Sequence, residues 1–367
     1  LLDPAKLLAL FLSMTVLSIF LDETGFFKWL ANAVLKRSGK GQVKLFTLFF
    51  LTVSLVTIFT SNDIVILTFT PFLCYFAKNA KVDPIPYLVS CFVAANTASM
   101  LLIIGNPTNI YLATSAGIDF VEYLRVMALP TVLATLTAYF VMLALFYRRL
   151  KQPINATVQD VKIANKLLLV IGLAILATAT ALLVISSYIK IEMYLVAVGA
   201  VGLLCTVTLF VAAITRKKPV ELLRTIRRVP WMIAIFMIYM FAIVMYLDSH
   251  GVTTWLTDLF GSKHAIIVYG LASVLFANLI NNIPMSILFT SVLAGATSLD
   301  GVYASIIGSN IGAFLTPIGA LAGIMWLSIL KTNEIKFSFA SFTKYGFIIA
   351  IPVLAAALFG LWLSMML

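Results

Sequence analysis

Leu21-Asp22-Glu23-Thr24-Gly25-Phe26-Phe27-Lys28-Trp29-Leu30 returns as Leu247-Asp248-Ser249-His250-Gly251-Val252-Thr253-Thr254-Trp255-Leu256. Leu, Asp, Gly, Trp and Leu recur at identical spacing, 226 positions apart. Two further matches follow in the same order. Thr60-Ser61-Asn62-Asp63 occupies the place of Ile280-Asn281-Asn282-Ile283, and Asn96, Leu101, Ile104, Gly105 and Ile110 match Asn310, Leu315, Ile318, Gly319 and Ile324. The offset drifts from 226 through 220 to 214. Ordered matches of this kind mark two copies of one unit.

The medium around those copies is set by composition. The chain has 367 residues, 62% hydrophobic and 11% charged, against about 25% charged in a typical soluble domain. Apolar runs of about the 20-residue span length recur, as at 166–189, 194–214 and 345–367. They are apolar all round, without the polar face of a soluble amphipathic helix. The sequence therefore predicts an all-α polytopic membrane protein in contact with lipid, in a prokaryotic plasma membrane.

The net charge of +11 sits in short stretches between spans, at 28–44, 78–81, 148–166, 216–228 and 331–344. That distribution reads as topology rather than as a nucleic-acid surface. Placing these clusters in the cytoplasm forces a path. A span at 5–21 runs inward, 43–60 and 64–77 form a re-entrant hairpin with its tip at Ser61-Asn62-Asp63, and 86–118 crosses outward with a break near Gly105-Asn106-Pro107-Thr108-Asn109. Span 124–147 returns. In the second copy the senses reverse. Spans 166–189 and 193–215 pair, 229–247 runs outward, hairpin 264–299 has its tip at Asn281-Asn282, 302–330 is broken near Thr316-Pro317-Ile318-Gly319, and 342–367 ends outside. Residues 1–150 then form the first of two inverted-topology repeats, 151–165 a cytoplasmic linker, and 166–367 the second repeat. The second copy has two spans ahead of its Leu-Asp-x-x-Gly element and the first has none beyond the equivalent of 229–247, which predicts about two further spans upstream of Leu1.

Inverted repeats with discontinuous helices point to a secondary transporter. Non-helical backbone at membrane depth survives only where protein or a watery cavity satisfies it. Helix N-termini there offer N–H groups and C-termini offer carbonyls. Ser61, Asn62, Asn96, Thr97, Asn106, Thr108, Asn109, Asn281, Asn282, Asn310 and Thr316 supply amides and hydroxyls for a substrate site, with Ser99 and Ser309 nearby. Gly105 and Gly319 permit close backbone approach, while Pro107 and Pro317 enforce the breaks. The bland reading of these polar groups is helix capping.

Of the 14 acidic residues, Asp63 alone falls in the membrane interior, with no Lys or Arg at comparable depth. An ionised carboxylate there costs about 2.5–3.5 kcal/mol or more. Without a basic partner its neutral form is the cheaper one, which suits a proton carrier; a sodium ligand and an Asp satisfied by neighbouring amides are the alternatives. With no buried cation, a neutral polyhydroxyl solute or a monoanion is easier to hold than a multiply charged anion. Asp22 and Asp248 read as interfacial helix caps. Cys74, Cys91 and Cys205 read as core thiols, not a metal site, and no cofactor motif occurs. His-Glu-x-x-His and Gly-x-Ser-x-Gly are absent, so the expectation is a carrier and not an enzyme; a passive channel is the other non-enzymatic reading.

Leu21-Asp22-Glu23-Thr24-Gly25-Phe26-Phe27, Ser61-Asn62-Asp63, Val229-Pro230-Trp231, Asn281-Asn282-Ile283-Pro284 and Thr316-Pro317-Ile318-Gly319 together resemble the arsenite permease branch of the ion transporter superfamily, which groups with sodium/proton antiporters. The resemblance spans nearly the whole chain. It implies efflux of trivalent arsenic or antimony hydroxides driven by proton uptake, with Asp63 in the position of the hairpin acid and an elevator-like motion of the hairpins. It also admits a homodimer and, for an arsenical pump, a cytosolic ATPase partner. The sodium/dicarboxylate branch carries Ser-Asn-Thr at both tips, unlike the tips here, whereas Gly105-Asn106-Pro107-Thr108-Asn109 looks like the break of anion symporters. A sodium- or proton-coupled carrier of carboxylates or other small anions is therefore the alternative.

Overall fold

The computed structural model describes residues 4–39, 41–151, 163, 165–294 and 299–366. Nearly all of the linker at 151–165, the stretch 295–298 within the second hairpin and Leu1 lie outside the described residues. The first half opens with α1 (Pro4–Glu23), α2 (Phe26–Ser38), α3 (Gln42–Phe59) and α4 (Asn62–Ala80). It continues with α5 (Ile85–Ala98), α6 (Pro107–Ser115) and α7 (Phe120–Phe146). Two long helices follow, α8 (Lys166–Ile189) and α9 (Met193–Thr215), and then a short one, α10 (Val220–Arg228). The second half runs α11 (Trp231–Ser249), α12 (Val252–Phe260), α13 (Ala265–Ile280), α14 (Asn282–Ala294), α15 (Leu299–Gly312), α16 (Leu321–Thr332) and α17 (Phe339–Ser364).

Among the described residues, seven helical stretches are long and apolar enough to cross a membrane: α1, α3, α7, α8, α9, the bent α10–α11 pair and α17. The fold is an all-α, multi-pass membrane fold. Its outer face is apolar in a regular way. Val132, Leu136 and Phe140 of α7, and Leu271, Leu275 and Leu279 of α13, recur every fourth residue and stay exposed. Such stripes are intolerable in water and ordinary in hydrocarbon. Thr57, Thr60, Thr70 and Thr97 turn their hydroxyls onto the carbonyls four residues back, at 2.5–2.9 Å. That bond removes the cost of a free hydroxyl in an apolar medium.

The element order α1–α7 repeats as α11–α17, with interruptions at the same places. One falls between α3 and α4 and between α13 and α14; the other separates α5 from α6 and α15 from α16. Packing is reciprocal as well: α4 rests on α16 of the other half, and α14 rests on α6. Within the halves, α13 packs on α15 and α3 on α5, while α7 and α17 pair across the halves. Small residues allow these approaches. Gly308 sits against the Gly270 carbonyl and Ser273, and Gly360 against Pro130, so the backbones meet without intervening side chains.

Three sequence expectations need correction. The first break begins at Ser99, because two short turns of 3₁₀ helix, Ser99–Leu101 and Ile103–Gly105, already replace the α-helix there. The basic stretch at 216–228 contains a helix, α10, which buries Leu222 and Thr225 and turns Arg224 and Arg227 outward. Asp22 and Asp248 are not helix caps: each lies in the last turn of a helix, and the following N-caps are Gly25 and Gly251 in left-handed conformation. Asp22 instead pairs with Arg228, and Asp248 accepts from the Thr253 hydroxyl. Cys74 and Cys91 are buried, whereas Cys205 is half-buried.

Candidate functional site

The helix breaks converge. α5 ends at Ala98 and the chain crosses 99–106 in turns before Pro107 restarts a helix. Pro at this first position costs no bond, since its missing N–H would be unpaired anyway. Asn106 caps the restart by accepting from Thr108 N at 3.2 Å. The turn is tight enough that Gly105 lies against the Ser99 carbonyl, where a Cβ would not fit. Gly319 lies in the same way against the Gly312 carbonyl. Neither glycine has positive φ, so close approach alone explains them.

Asn310 of α15 joins the two halves. Its Nδ2 donates to Asn109 Oδ1 at 2.7 Å and to the Ile306 carbonyl at 2.8 Å. Its Oδ1 accepts from Asn106 Nδ2 at 2.8 Å and from Ser99 Oγ at 3.1 Å. Asn109 Nδ2 donates to the Ser99 and Leu102 carbonyls within the break. Beside them, Ser309 Oγ donates to Thr108 Oγ1 at 2.9 Å. Asn96, Ser99, Thr108, Asn109, Ser309 and Asn310 are fully buried. In this conformation each has a partner within the protein, Asn96 through Asn62 and the Phe92 carbonyl.

The junction between α3 and α4 is less completely paired. Ser61 N donates to Ser18 Oγ at 3.1 Å, and Asn62 Nδ2 to Asn96 Oδ1 at 3.1 Å. Asn62 Oδ1 is buried without a partner. Asp63 stands in the first turn of α4, where a helix N-terminus favours negative charge. Among the described residues its carboxyl makes no ion pair or hydrogen bond. Ser61 and Asp63 face a cavity of about 280 Å³ bounded by α1, α4, α11 and α16. Arg228 is the cation on its lining. That guanidinium is already held through Nη1 by Asp22 at 2.7 Å and Glu23 at 2.6 Å.

At the junction between α13 and α14, Asn281 has φ 77° and ψ 151°, a region that is costly for any residue with a Cβ. Its Nδ2 donates to the Ile318 carbonyl at 3.0 Å, and its Oδ1 accepts from Ile283 N. Asn282 is buried. Thr316 donates through N and Oγ1 to Asn278 Oδ1, at 3.1 and 2.6 Å, and Asn278 Nδ2 takes up the Gly312 carbonyl at 3.0 Å. The structure thus brings Asn96, Asn106, Thr108, Asn109 and Asn310 into one network with Asn62. Thr316 and Gly319 meet around Asn278 instead, and Asn281 reaches the same break through the Ile318 carbonyl. Thr97 bonds only within its own helix. Sequence reasoning missed Asn278 and Arg228. An amide one turn before the tip of an otherwise apolar helix was the available signal for the first; nothing local marked the second.

Residues 5–308 match the family model described as Citrate transporter. The Arsenical pump membrane protein of Escherichia coli (strain K12) is 30% identical over 388 aligned positions, covering 97% of this chain and 86% of that protein. The chain belongs to the ion transporter superfamily, in an arsenical-pump-like branch. Another relative in this branch is the Putative arsenical pump membrane protein of Bacillus subtilis (strain 168), 30% identical over 92% of this chain and 83% of its own length. The crystal structure of the Alcanivorax borkumensis YdaH transporter has the same overall fold, with a TM-score of 0.57 at 15% identity, covering 97% and 85% of the two chains. As an ion-transporter-superfamily member with seven span-length apolar stretches, the chain is a membrane transporter, consistent with residence in a bacterial plasma membrane.

Proposed function

We propose that the chain exports trivalent arsenic and antimony hydroxides in exchange for protons, with Asp63 carrying the proton. One observation carries this reading. Asp63 faces a cavity of about 280 Å³ without a partner, and the one cation on that lining, Arg228, is already held by two carboxylates. With Asp22 and Glu23 on Arg228 and Asp63 on the same wall, a multiply charged anion would meet three carboxyl groups and one guanidinium. A neutral hydroxide meets the hydroxyls of Thr15 and Ser61 and a carboxyl that exchanges protons with the cavity. The names of the arsenical-pump relatives point the same way.

In this reading residues 1–150 and 166–367 are two inverted-topology repeats. The α3–α4 and α13–α14 pairs are hairpins that enter from opposite faces, and the reciprocal packing of α4 on α16 and α14 on α6 supports that arrangement. Ser61, Asn62, Asn96, Thr97, Gly105, Asn106, Thr108, Asn109, Asn281, Asn282, Asn310, Thr316 and Gly319 form the solute path. Asn62 Oδ1, which lacks a partner, is its first acceptor. Movement of the hairpins would open the amide network to the solute.

A second reading, coupled transport of carboxylates or other small anions, is favoured by the matching family model's description and by Gly105-Asn106-Pro107-Thr108-Asn109 at the first break. Thermal stabilisation of the purified protein separates the two, screened against arsenite, antimonite, dicarboxylates and sodium at several pH values. Stabilisation by arsenite and antimonite alone is expected. Stabilisation by dicarboxylates and not by arsenite would replace the first reading with the second.

A further inference from the structure

Arg228 is placed to do more than close a surface ion pair. It ends α10 immediately before Val229-Pro230, where the chain bends into α11, and it meets the end of α1. Both carboxylates reach the same nitrogen, Nη1. Among the described residues the guanidinium makes no other bond, so Nε and Nη2 are unused. A guanidinium has five N–H donors in a planar fork, so Arg228, which lines the cavity together with Asp63, keeps donors free of the clasp. Asp22 is nearly enclosed, with 6% of its side chain exposed against 43% for Arg228, and its second oxygen, Oδ1, is buried with no partner. The clasp is therefore unsaturated on both sides: Asp22 can take more of Arg228, and Arg228 can take another carboxylate.

Resting on the reading of Asp63 as the proton carrier, we infer that Arg228 is a positioning residue, the exchangeable counter-ion of Asp63. When Asp63 gives up its proton to the cavity, the free edge of the guanidinium compensates the carboxylate that forms. When Asp63 is protonated again, Arg228 falls back wholly to Asp22 and Glu23. Among the described residues no other charged group lines the cavity. The residues that α1, α11 and α16 contribute to its wall are uncharged. The basic groups of α2 and α3 (Lys28, Lys36, Arg37 and Lys44) are not on it. The clasp joins α1, in the first half, to the joint ahead of α11. Shifting Arg228 would thus tie the protonation of one hairpin tip to the packing of the other half.

The test needs no transported solute. Infrared difference spectra of the purified protein, recorded against pH, report the protonated carboxyl band, and the part lost in Asp63→Asn belongs to Asp63. Replacing Arg228 by Gln removes the cation, so the midpoint of that band should move to higher pH by about one unit. Arg228→Lys should stay near the wild type. Asp22→Asn weakens the clasp and frees Arg228 toward Asp63, so it should move the midpoint to lower pH; it keeps the test open should Arg228→Gln fail to fold. Midpoints unmoved in both Arg228→Gln and Asp22→Asn would overturn the role of Arg228 and leave the proton-carrier reading standing. A spectrum with no band that depends on Asp63 would overturn that reading, and this inference with it.

Discussion

Asn310 of α15 donates to Asn109 of α6 across 2.7 Å, so an amide pair locks the two halves of the chain together beside the first helix break. Membrane-embedded amides are seldom placed without consequence, because each unmade bond there lacks water to replace it. Here a single side chain serves Asn109, Asn106, Ser99 and the Ile306 carbonyl.

Asn310→Ala should therefore lower stability by about 1–3 kcal/mol, the penalty for leaving buried polar partners unsatisfied. Thermal unfolding in detergent reads this directly. Ser309→Ala, next in sequence, removes the bond to Thr108, one helix carbonyl contact and a long 3.5 Å contact from Asn310 and should cost less than half as much. Equal effects of the two substitutions would contradict the network described.

The glycines at the breaks make a sharper comparison. A Cβ at Gly105 or Gly319 would run into a backbone carbonyl, whereas at Gly199 and Gly202 of α9 it would meet open space. Gly105→Ala and Gly319→Ala should each cost about 1–3 kcal/mol. Gly199→Ala and Gly202→Ala should be neutral or stabilising by up to about 1 kcal/mol, as helix-interior glycine replacements are. Thermal melts of the four variants check the ranking.

Asn281 tests whether backbone strain is stored at the second tip. Both Asn281→Gly and Asn281→Ala lose the bond to the Ile318 carbonyl. Only Ala keeps a Cβ at φ 77°. Ala should therefore be the less stable of the two by about 1 kcal/mol, and a reversed order would remove the strain from the account.

How much of this was legible in the sequence depended on distance along the chain. The breaks were readable because Gly105-Asn106-Pro107 and Thr316-Pro317-Ile318-Gly319 interrupt apolar runs with residues that cannot continue a helix. Asn96 and Asn310 stood out because amides inside apolar helices are expensive. The start of the first break at Ser99 was not readable, since Ser99-Met100-Leu101 suits an α-helix as well as the 3₁₀ turns it adopts. Asp22 looked like a cap because it falls where an apolar span gives way to an amphipathic segment. Its partner Arg228 lies far along the chain in a basic stretch that reads as topology, and only the packing of α10 against α1 brings them together. Asn278 was hidden for a related reason. It supports the second break from a neighbouring helix, whereas in the first half Asn109 of the restarted helix takes up the break's carbonyls, so the repeat could not reveal it.

The central claim, that solute moves out against protons carried by Asp63, is tested most directly in everted membrane vesicles. Arsenite uptake should follow an imposed pH gradient and collapse with a protonophore in the wild type. In Asp63→Asn gradient-driven uptake should be lost while arsenite still exchanges across the membrane. Uptake indifferent to the gradient, or an Asp63→Asn protein that couples as the wild type does, would contradict it.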